Sequence, residues 1–257
     1  MTAPIAVIGG TGLYRFLDGA TQTRTVETPY GATSAPITLG EVAGRQVAFL
    51  PRHGLHHEFS PHTVPYRANL WALHSLGVRK VLAPCAVGSL DPALGPGTIV
   101  VPDQLVDRTT SRTSTYFDGG GVHVSFADPY CPTLRAAAAP RADRDGATMV
   151  VIEGPRFSTR AESRWYAAQG WELVNMTGLP EAALARELKL CYASIALVTD
   201  LDAGIEAGEG VHADDVLQQF AANLPRLTEV LTETIAAISP GDECTCAAGD
   251  HDLSSLQ

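Results

Sequence analysis

Two carboxylates stand two residues apart in the segment VTDLD, directly after the longest apolar run of the chain. Because side chains alternate along a strand, Asp200 and Asp202 are predicted to lie on one face. A protonated aspartate can donate a proton to a ring nitrogen, and an ionised one can accept from an exocyclic amine. The same spacing suits a metal-binding pair or a surface pair, so these interpretations stay open.

A cation and an imidazole donor follow another apolar run in the segment FLPRHG, as Arg52 and His53. The planar guanidinium fork of arginine matches phosphate oxygens, although a surface arginine beside a packed histidine is an equal alternative. His53, His56, His57 and His62 also raise the question of a metal site. Glycine and proline interrupt the helix that the spacing of these histidines would need, so we expect no metal.

The glycine-rich segment GGTGL, residues 9–13, follows the first apolar run. Glycines let backbone amides approach an anion closely, and Thr11 adds a hydroxyl donor. A dinucleotide loop would need a glycine where Arg15 stands, and no lysine completes a P-loop. A tight turn, an oxyanion or phosphate loop and a dinucleotide loop therefore remain alternatives.

An aromatic residue, Phe157, stands between a Gly-Pro turn and a helix start in the segment VIEGPRFSTRAES. Thr159 and Glu162 form a T-x-x-E capping box, which predicts that a helix begins here. A ring held at such a turn can face a flat guest, or it can pack on its own helix.

Predicted strands and helices alternate along the chain, and they must position these residues. The predicted strands are short apolar runs that end in glycine or polar residues, and segments of helical periodicity lie between them. This alternation predicts an α/β fold: a single domain with a central, twisted, largely parallel mixed sheet flanked by helices. Binding sites in such sheets form at strand ends, where the polar residues collect. We expect the domain to span residues 1–239 and the polar residues 240–257 to form a loose tail.

Composition restricts the classes of function. The formal charge of −10 argues against binding to nucleic acid, because phosphate backbones select basic surfaces. No apolar run reaches the length of a membrane helix, and the first residues lack the pattern of a secretory signal. We therefore expect a cytoplasmic protein with no membrane partner.

Five cysteines, an odd number in a chain of this length, indicate cytosolic thiols. Cys244 and Cys246 are separated by one residue, which is not a usual spacing for zinc ligands. We interpret this pair as part of a surface tail that can oxidise.

Several segments together resemble the methylthioadenosine phosphorylase branch of the trimeric purine nucleoside phosphorylase family, namely GPRFSTRAE, NMTGLPEAALARE and VTDLD. The motifs GGTGL, RHG, AVGSL and DRTT also occur in the family's order and spacing. The resemblance implies that inorganic phosphate cleaves a purine nucleoside to the base and a pentose 1-phosphate, with no metal or organic cofactor. It also implies a homotrimer with sites at subunit borders.

The resemblance further implies a phosphate site to which Ala86 contributes its backbone amide. Where the family usually has a hydroxyl residue before this alanine, the chain has Cys85, and a thiol is a weaker donor. Phosphate would then bind more weakly or through the backbone only, and Cys85 could be oxidisable and sensitive to ligand. The implied phosphate-binding residues are Thr11, Arg52, His53, Cys85, Ala86 and Thr177.

The nucleoside site implied by the resemblance has Phe157 against the purine and Met176 against the ribose hydroxyls. Asp200, with Asp202 as helper, would stabilise or protonate the departing purine as its glycosidic bond breaks. His123 would be lent to a neighbouring subunit's 5′ pocket. The implied nucleoside-binding residues are Phe157, Ser158, Asn175, Met176, Ala213, Val216, Leu217 and His123.

Substrate choice within the family turns on three places. Branches that take 6-oxopurines carry glutamate after the stacking phenylalanine and asparagine at the position of Asp200, whereas this chain has Ser158 and Asp200. A carboxylate accepts from a 6-amino group, so adenine is the expected base. Ala213 replaces a histidine that binds a free 5′-hydroxyl, and an apolar pocket there suits a methylthio group, although His212 leaves another register open.

Rival functions remain at this point. Within the family, the alternative is a purine nucleoside or methylthioinosine phosphorylase. From other classes, a metal-dependent hydrolase using the histidine cluster and a non-catalytic nucleoside-binding protein are the alternatives.

Overall fold

The computed structural model describes residues 4–206, 210–239, 244–249 and 251–256, and a sheet occupies its centre. The strands are β1 (Ile5–Gly9), β2 (Gln22–Arg24), β3 (Ile37–Val42), β4 (Arg45–Pro51), β5 (Lys80–Ser89), β6 (Ile99–Val101), β7 (Gln104–Arg108), β8 (Arg144–Asp145), β9 (Thr148–Ile152), β10 (Leu173–Asn175) and β11 (Cys191–Leu201). The helices are α1 (Tyr66–Ser75), α2 (Pro132–Ala138), α3 (Arg160–Ala168), α4 (Gly178–Glu187) and α5 (Ala213–Ala237). Short 3₁₀ turns lie at Ala139–Arg141, Thr245–Ala247 and Ser254–Leu256.

Strand pairing makes the sheet mixed. The path runs β2-β3-β4-β1-β5-β10-β9-β7, and β11 pairs with both β5 and β6. The central strands β4, β1, β5 and β11 are parallel to one another, whereas β10 pairs with β5 in the antiparallel sense. Parallel strands are covered on both faces, which explains why β1 is apolar and buried along its whole length.

Helices cover the two faces of the sheet, and alternation along β5 assigns its side chains to two cores. Val81 and Ala83 join the apolar cluster that includes Leu70 of α1. Leu82 points the other way, into the cluster that includes Leu231 of α5. Because a strand's side chains alternate, each central strand stabilises both layers.

Two local predictions about helices can be compared directly with the structure. The capping box at α3 is present, because the Thr159 hydroxyl accepts from the Glu162 amide while the Glu162 carboxylate accepts from the Thr159 amide. Within the described ranges, no helix has the length and apolar character needed to cross a membrane.

The C-terminal segment packs against the domain wherever the structure describes it. Cys246 and Leu256 are buried in the two apolar clusters, and the His251 ring bonds the carbonyl of Glu187. This packing differs from the loose tail expected from composition. A few buried apolar side chains are enough to hold a polar segment against the domain. The overall composition of the segment does not reveal them. The boundary after residue 239 stays a prediction.

Candidate active site

A cavity of about 450 Å³ opens at the ends of six strands. The ends of β1, β4, β5, β9, β10 and β11 converge there, together with the start of α5, as expected for ligand sites in α/β sheets. Every candidate site residue named from the sequence lines this cavity except His123, which lies outside the lining of its own chain.

The two carboxylates enter the cavity from the end of β11. The β5–β11 register shifts between Val198 and Asp200, so a bulge changes the direction of the strand just before the first acid. The Asp200 carboxylate accepts from the Thr199 hydroxyl at 2.8 Å, and the Asp202 carboxylate accepts from the Ser163 hydroxyl at 2.7 Å. Each acid is therefore oriented by a hydroxyl group next to it.

Burial changes the acidity of both groups. It raises the pKa of Asp200 to about 6. The neighbouring charge of Asp202 also raises this pKa, whereas the hydrogen bond from Thr199 lowers it. Burial also raises the pKa of Asp202, and the Ser163 hydrogen bond opposes that rise. An acid with a pKa near the working pH can hold or release a proton, so Asp200 has the acidity that proton transfer to a leaving base requires.

Gly88 on β5 lies directly against this acid pair. A Cβ atom built there would lie 3.1 Å from Asp200 Oδ1 and 3.3 Å from the Asp202 Cβ. The space that the carboxylates occupy thus depends on a position without a side chain.

The buried guanidinium of Arg52 binds mainly to the protein itself. Nε and Nη2 donate to the two carboxylate oxygens of Glu181 at 2.7 and 2.8 Å. Nη2 and Nη1 also donate to the carbonyls of Ile8 and Pro84. Although burial alone would lower it, Glu181 raises the pKa of Arg52. Two of its three nitrogens therefore bind Glu181, and Nη1 is the atom beside Gly10 of the glycine loop. Binding of phosphate by Arg52 stays a prediction, and it would use Nη1.

His53 also differs from the expected donor. Burial, with the Arg52 cation, lowers the pKa of His53 to about 3, so the ring is neutral. Its Nδ1 lies 2.8 Å from the Phe59 carbonyl, which can only accept, so Nδ1 carries the proton. Nε2 is then an acceptor, and it suits the protonated oxygen of a phosphate.

Cys85 lines the cavity but is buried. Its sulfur lies 3.3 Å from the Ser194 hydroxyl, and burial raises the pKa of the Cys85 thiol. A buried thiol with a raised pKa forms little thiolate, so the readily oxidised cysteine expected here is not favoured by these surroundings.

Apolar side chains line two sides of the cavity: Phe157 forms an aromatic rim, and residues of α5 form what we call the apolar wall. Phe157 is half-buried, and Gly154 before it has a φ of 64° and packs so closely on Met176 that a Cβ would lie 2.7 Å from the sulfur. On the other side, Ala213, Val216 and Leu217 of α5 line the cavity, with Leu217 45% exposed. The cavity therefore combines acids, polar groups and an apolar wall.

Comparison with known proteins identifies this arrangement. A family model described as the phosphorylase superfamily matches residues 4–236. The chain belongs to the phosphorylase superfamily. Both the family recognised from the sequence motifs and the single-domain α/β fold are thereby confirmed.

The chain is similar to several members of this superfamily over nearly the whole length of both proteins. The S-methyl-5′-thioadenosine phosphorylase of Mycolicibacterium smegmatis is 66% identical, over 94% of this chain and 93% of the relative. The purine nucleoside phosphorylase of Streptomyces coelicolor is 60% identical, over 96% and 93%. A solved methylthioadenosine phosphorylase from Schistosoma mansoni, in complex with adenine, has a TM-score of 0.89 at 36% identity, over 94% and 93%.

One pair of cavity residues in this phosphorylase superfamily member was missed by sequence reasoning. The Tyr14 hydroxyl lies 2.9 Å from Nδ1 of His57, and the His57 ring stacks on His53 at 4.5 Å between centroids. His57 was considered only as a metal ligand. The position of Tyr14, directly after GGTGL, is the one signal that could have drawn attention to it.

The role of Asn175 in the superfamily member is also more structural than expected. Its side-chain oxygen accepts from the amides of Thr177 and Gly178 at 2.7 and 2.6 Å, and its nitrogen donates to the Ala86 carbonyl at 3.2 Å. Asn175 thus joins the end of β10 to the middle of β5. It positions the strand ends, whatever else it contacts.

Proposed function

We propose that this protein cleaves S-methyl-5′-thioadenosine with inorganic phosphate, giving adenine and 5-methylthioribose 1-phosphate. The observation that carries the proposal is the pairing, in one cavity, of the half-buried Asp200 with an apolar wall on α5. The acid matches a 6-amino base, and the wall matches a methylthio group. The similarity to proteins of that name at up to 66% identity supports it.

Charge development explains how the residues would act. As the glycosidic bond stretches, the sugar becomes cationic and the purine becomes electron-rich. Phosphate below the anomeric carbon stabilises the cation and then attacks it. Asp200 stabilises or protonates the departing ring nitrogen. The neighbouring charge of Asp202 helps by raising the pKa of Asp200. Such stabilisation in a site sheltered from water is usually the largest contribution to catalysis.

The phosphate would be held at the glycine loop. The Thr11 hydroxyl and the Nη1 edge of Arg52 would donate to it, and Nε2 of His53 would accept from its protonated oxygen. Thr177, Ala86 and Cys85 would complete the surroundings. The nucleophile is phosphate itself, so this reaction needs no metal and no organic cofactor in the cavity.

The base and the sugar would lie above the phosphate. Phe157 would stack on the purine, Ser158 and Asn175 would lie at its edge, and Met176 would contact the ribose. Ala213, Val216 and Leu217 would surround the methylthio group.

A four-substrate assay tests the proposal. Methylthioadenosine, adenosine, methylthioinosine and inosine are each incubated with and without phosphate, and released base and sugar phosphate are measured. We expect methylthioadenosine to react fastest, only with phosphate present, and in the presence of a chelator. Faster phosphorolysis of inosine would favour the alternative, a purine nucleoside phosphorylase, for which the relative from Streptomyces coelicolor is a precedent by name. Base release without phosphate would contradict the proposal.

We also propose a homotrimer in the cytoplasm, in which His123 of each chain reaches a neighbour's 5′ pocket. The exposed apolar side chains of Leu55 and Leu217 support an interface, and Leu217 also lines the cavity. Light scattering coupled to size exclusion should give three times the mass of the chain. A monomer that is fully active would contradict the proposed sharing of the site.

A further inference from the structure

Four cysteines meet in one place, away from the cavity. The sulfurs of Cys131, Cys191, Cys244 and Cys246 all lie within 4.8 Å of one another, and we call this group the thiol cluster. The cluster joins the residue before α2, the first residue of β11 and two residues of the C-terminal segment. Three of the four side chains are buried, and Cys244 is partly buried.

The four sulfurs lie close enough together to bind one metal ion. With metal–sulfur bonds of about 2.3 Å, the sulfurs of a tetrahedral zinc site lie about 3.8 Å apart. All four sulfurs lie within 4.8 Å of one another, so one ion can reach them all after small shifts. The Cys191 and Cys244 sulfurs, 2.9 Å apart, would move apart by about 0.9 Å to reach that spacing. A disulfide would bring one pair to about 2.0 Å, and it does not require all four sulfurs to converge.

Two of the four thiols are held by the backbone of the domain. The Cys131 amide donates to the Tyr192 carbonyl at 2.8 Å, which ties the start of α2 to β11. The Cys191 amide donates to the Arg79 carbonyl at 2.9 Å. This half of the thiol cluster is therefore positioned by the sheet.

The other two thiols come from the C-terminal segment and are positioned by their own short turn. The Cys246 amide donates to the Cys244 sulfur at 3.4 Å, a contact that favours negative charge on that sulfur. The thiol cluster lies in the same apolar core as Leu134 and Ile238, so water has little access to it. Four converging thiols in an apolar core need a partner of positive charge if they are to be deprotonated together.

We propose that the thiol cluster is a tetrathiolate site for a structural Zn²⁺ ion. On binding, each of the four thiols releases its proton to solvent, and four zinc–sulfur bonds form without any change of oxidation state. A site with four protein ligands is closed, so its role is structural and not catalytic. The ion fastens the C-terminal segment to α2 and β11. This inference does not depend on the reaction proposed for the cavity.

Sequence spacing did not indicate this site. One intervening residue between Cys244 and Cys246 is an unusual spacing for zinc ligands, so the local pattern indicates surface thiols. The fold supplies the other two ligands from positions far away in the chain, so no local motif is present.

Metal content of the full chain, purified under reducing, oxygen-free conditions, is the first test. We expect one zinc per chain by mass spectrometry of the elements. Cys131→Ser and Cys246→Ser should reduce zinc to background, whereas the control Cys85→Ser should keep it, because Cys85 lies outside the thiol cluster. Zinc retained at full level in both cluster variants would overturn the proposal.

A second measurement needs no variant and so does not depend on the folding of one. The wild-type chain is loaded with Co²⁺ in place of zinc, and its absorption spectrum is recorded. Intense visible bands with thiolate-to-cobalt charge transfer in the near ultraviolet are expected of tetrahedral sulfur coordination. The absence of these bands would overturn the proposal, as would an intact mass two or four hydrogen atoms below that of the reduced chain, which indicates disulfides.

Discussion

Arg52 and Glu181 form a buried ion pair in which both carboxylate oxygens accept from one guanidinium, at 2.7 and 2.8 Å. The Tyr192 hydroxyl donates to the same carboxylate at 2.8 Å. The pair joins Arg52, the residue after β4, to Glu181 of α4. Because Nε and Nη2 bind Glu181, Nη1 is the nitrogen of Arg52 that can face an anion. Glu181, which does not line the cavity, thus orients Arg52, which does.

Removing the negative charge of Glu181 should destabilise the protein strongly. Glu181→Gln leaves the Arg52 cation buried without a counterion, which costs about 3–5 kcal/mol. Chemical denaturation of the variant measures this loss. The control is Asp118→Asn, which breaks an exposed pair with Arg67 of similar length, 2.8 Å, and should cost about 0–1 kcal/mol. Equal losses in the two variants would contradict the role given to burial.

Replacing the first acid should change both rate and preference. Asp200→Asn removes a group that can protonate or stabilise the leaving base, so we expect kcat on methylthioadenosine to fall about 10²–10⁴-fold. Because the amide can donate to a 6-oxo group, the variant should also turn over inosine relatively better. Steady-state kinetics on both substrates measure this change. Unaltered constants on both would contradict the assignment, and Asp118→Asn serves as the control for a lost aspartate.

Stability should depend on pH through the same acid. The pKa of Asp200 is raised to about 6 in the folded state. The folded state therefore binds more protons than the unfolded state between about pH 4 and pH 6, and stability falls as pH rises through this window. Above it, the ionised group costs up to about 3 kcal/mol.

Asp200→Asn removes that cost. The variant should be more stable than the wild type at pH 7, and the difference should disappear below about pH 4. Urea unfolding of both proteins at a series of pH values measures this difference. A gap of constant size at all pH values would show that the raised pKa is not its cause.

A methyl group at Gly88 should disturb the acid pair without much effect on folding. Gly88→Ala places a Cβ 3.1 Å from Asp200 Oδ1, so the carboxylate must shift. Small displacements of reacting groups reduce rates steeply, and we expect kcat/KM to fall about 10–100-fold. Gly95→Ala is the matched control, because a Cβ there meets no atom within 4 Å. Similar kinetics in the two variants would mean that the acids tolerate the shift.

The apolar wall of α5 should select the group at the 5′ carbon. Val216→Thr keeps the shape of the side chain and adds a hydroxyl that a methylthio group cannot satisfy. We expect KM for methylthioadenosine to rise about 10-fold, with a smaller change for adenosine. Initial rates with both substrates measure this difference. An equal rise for both would indicate a general disturbance of α5 and not a loss of selectivity.

Local patterns in the sequence were sufficient for several features of this protein. The α/β class followed from apolar runs alternating with helical periodicity, and the start of α3 followed from the reciprocal pairing of Thr159 and Glu162. The convergence of Arg52, Asp200 and Met176 on one cavity followed from the rule that strand ends bind ligands. Each of these features depends on residues close in the chain or on a general property of parallel sheets.

Only the tertiary structure decided how these side chains are used. Glu181 takes the fork of Arg52, the Phe59 carbonyl sets the tautomer of His53, and burial raises the pKa of Asp200. The thiol cluster unites Cys131 with Cys246, although composition had indicated a loose tail. The physical reason is common to all of these cases: hydrogen bonding, desolvation and coordination depend on atoms that are brought together from distant segments, and no spacing within one segment records them.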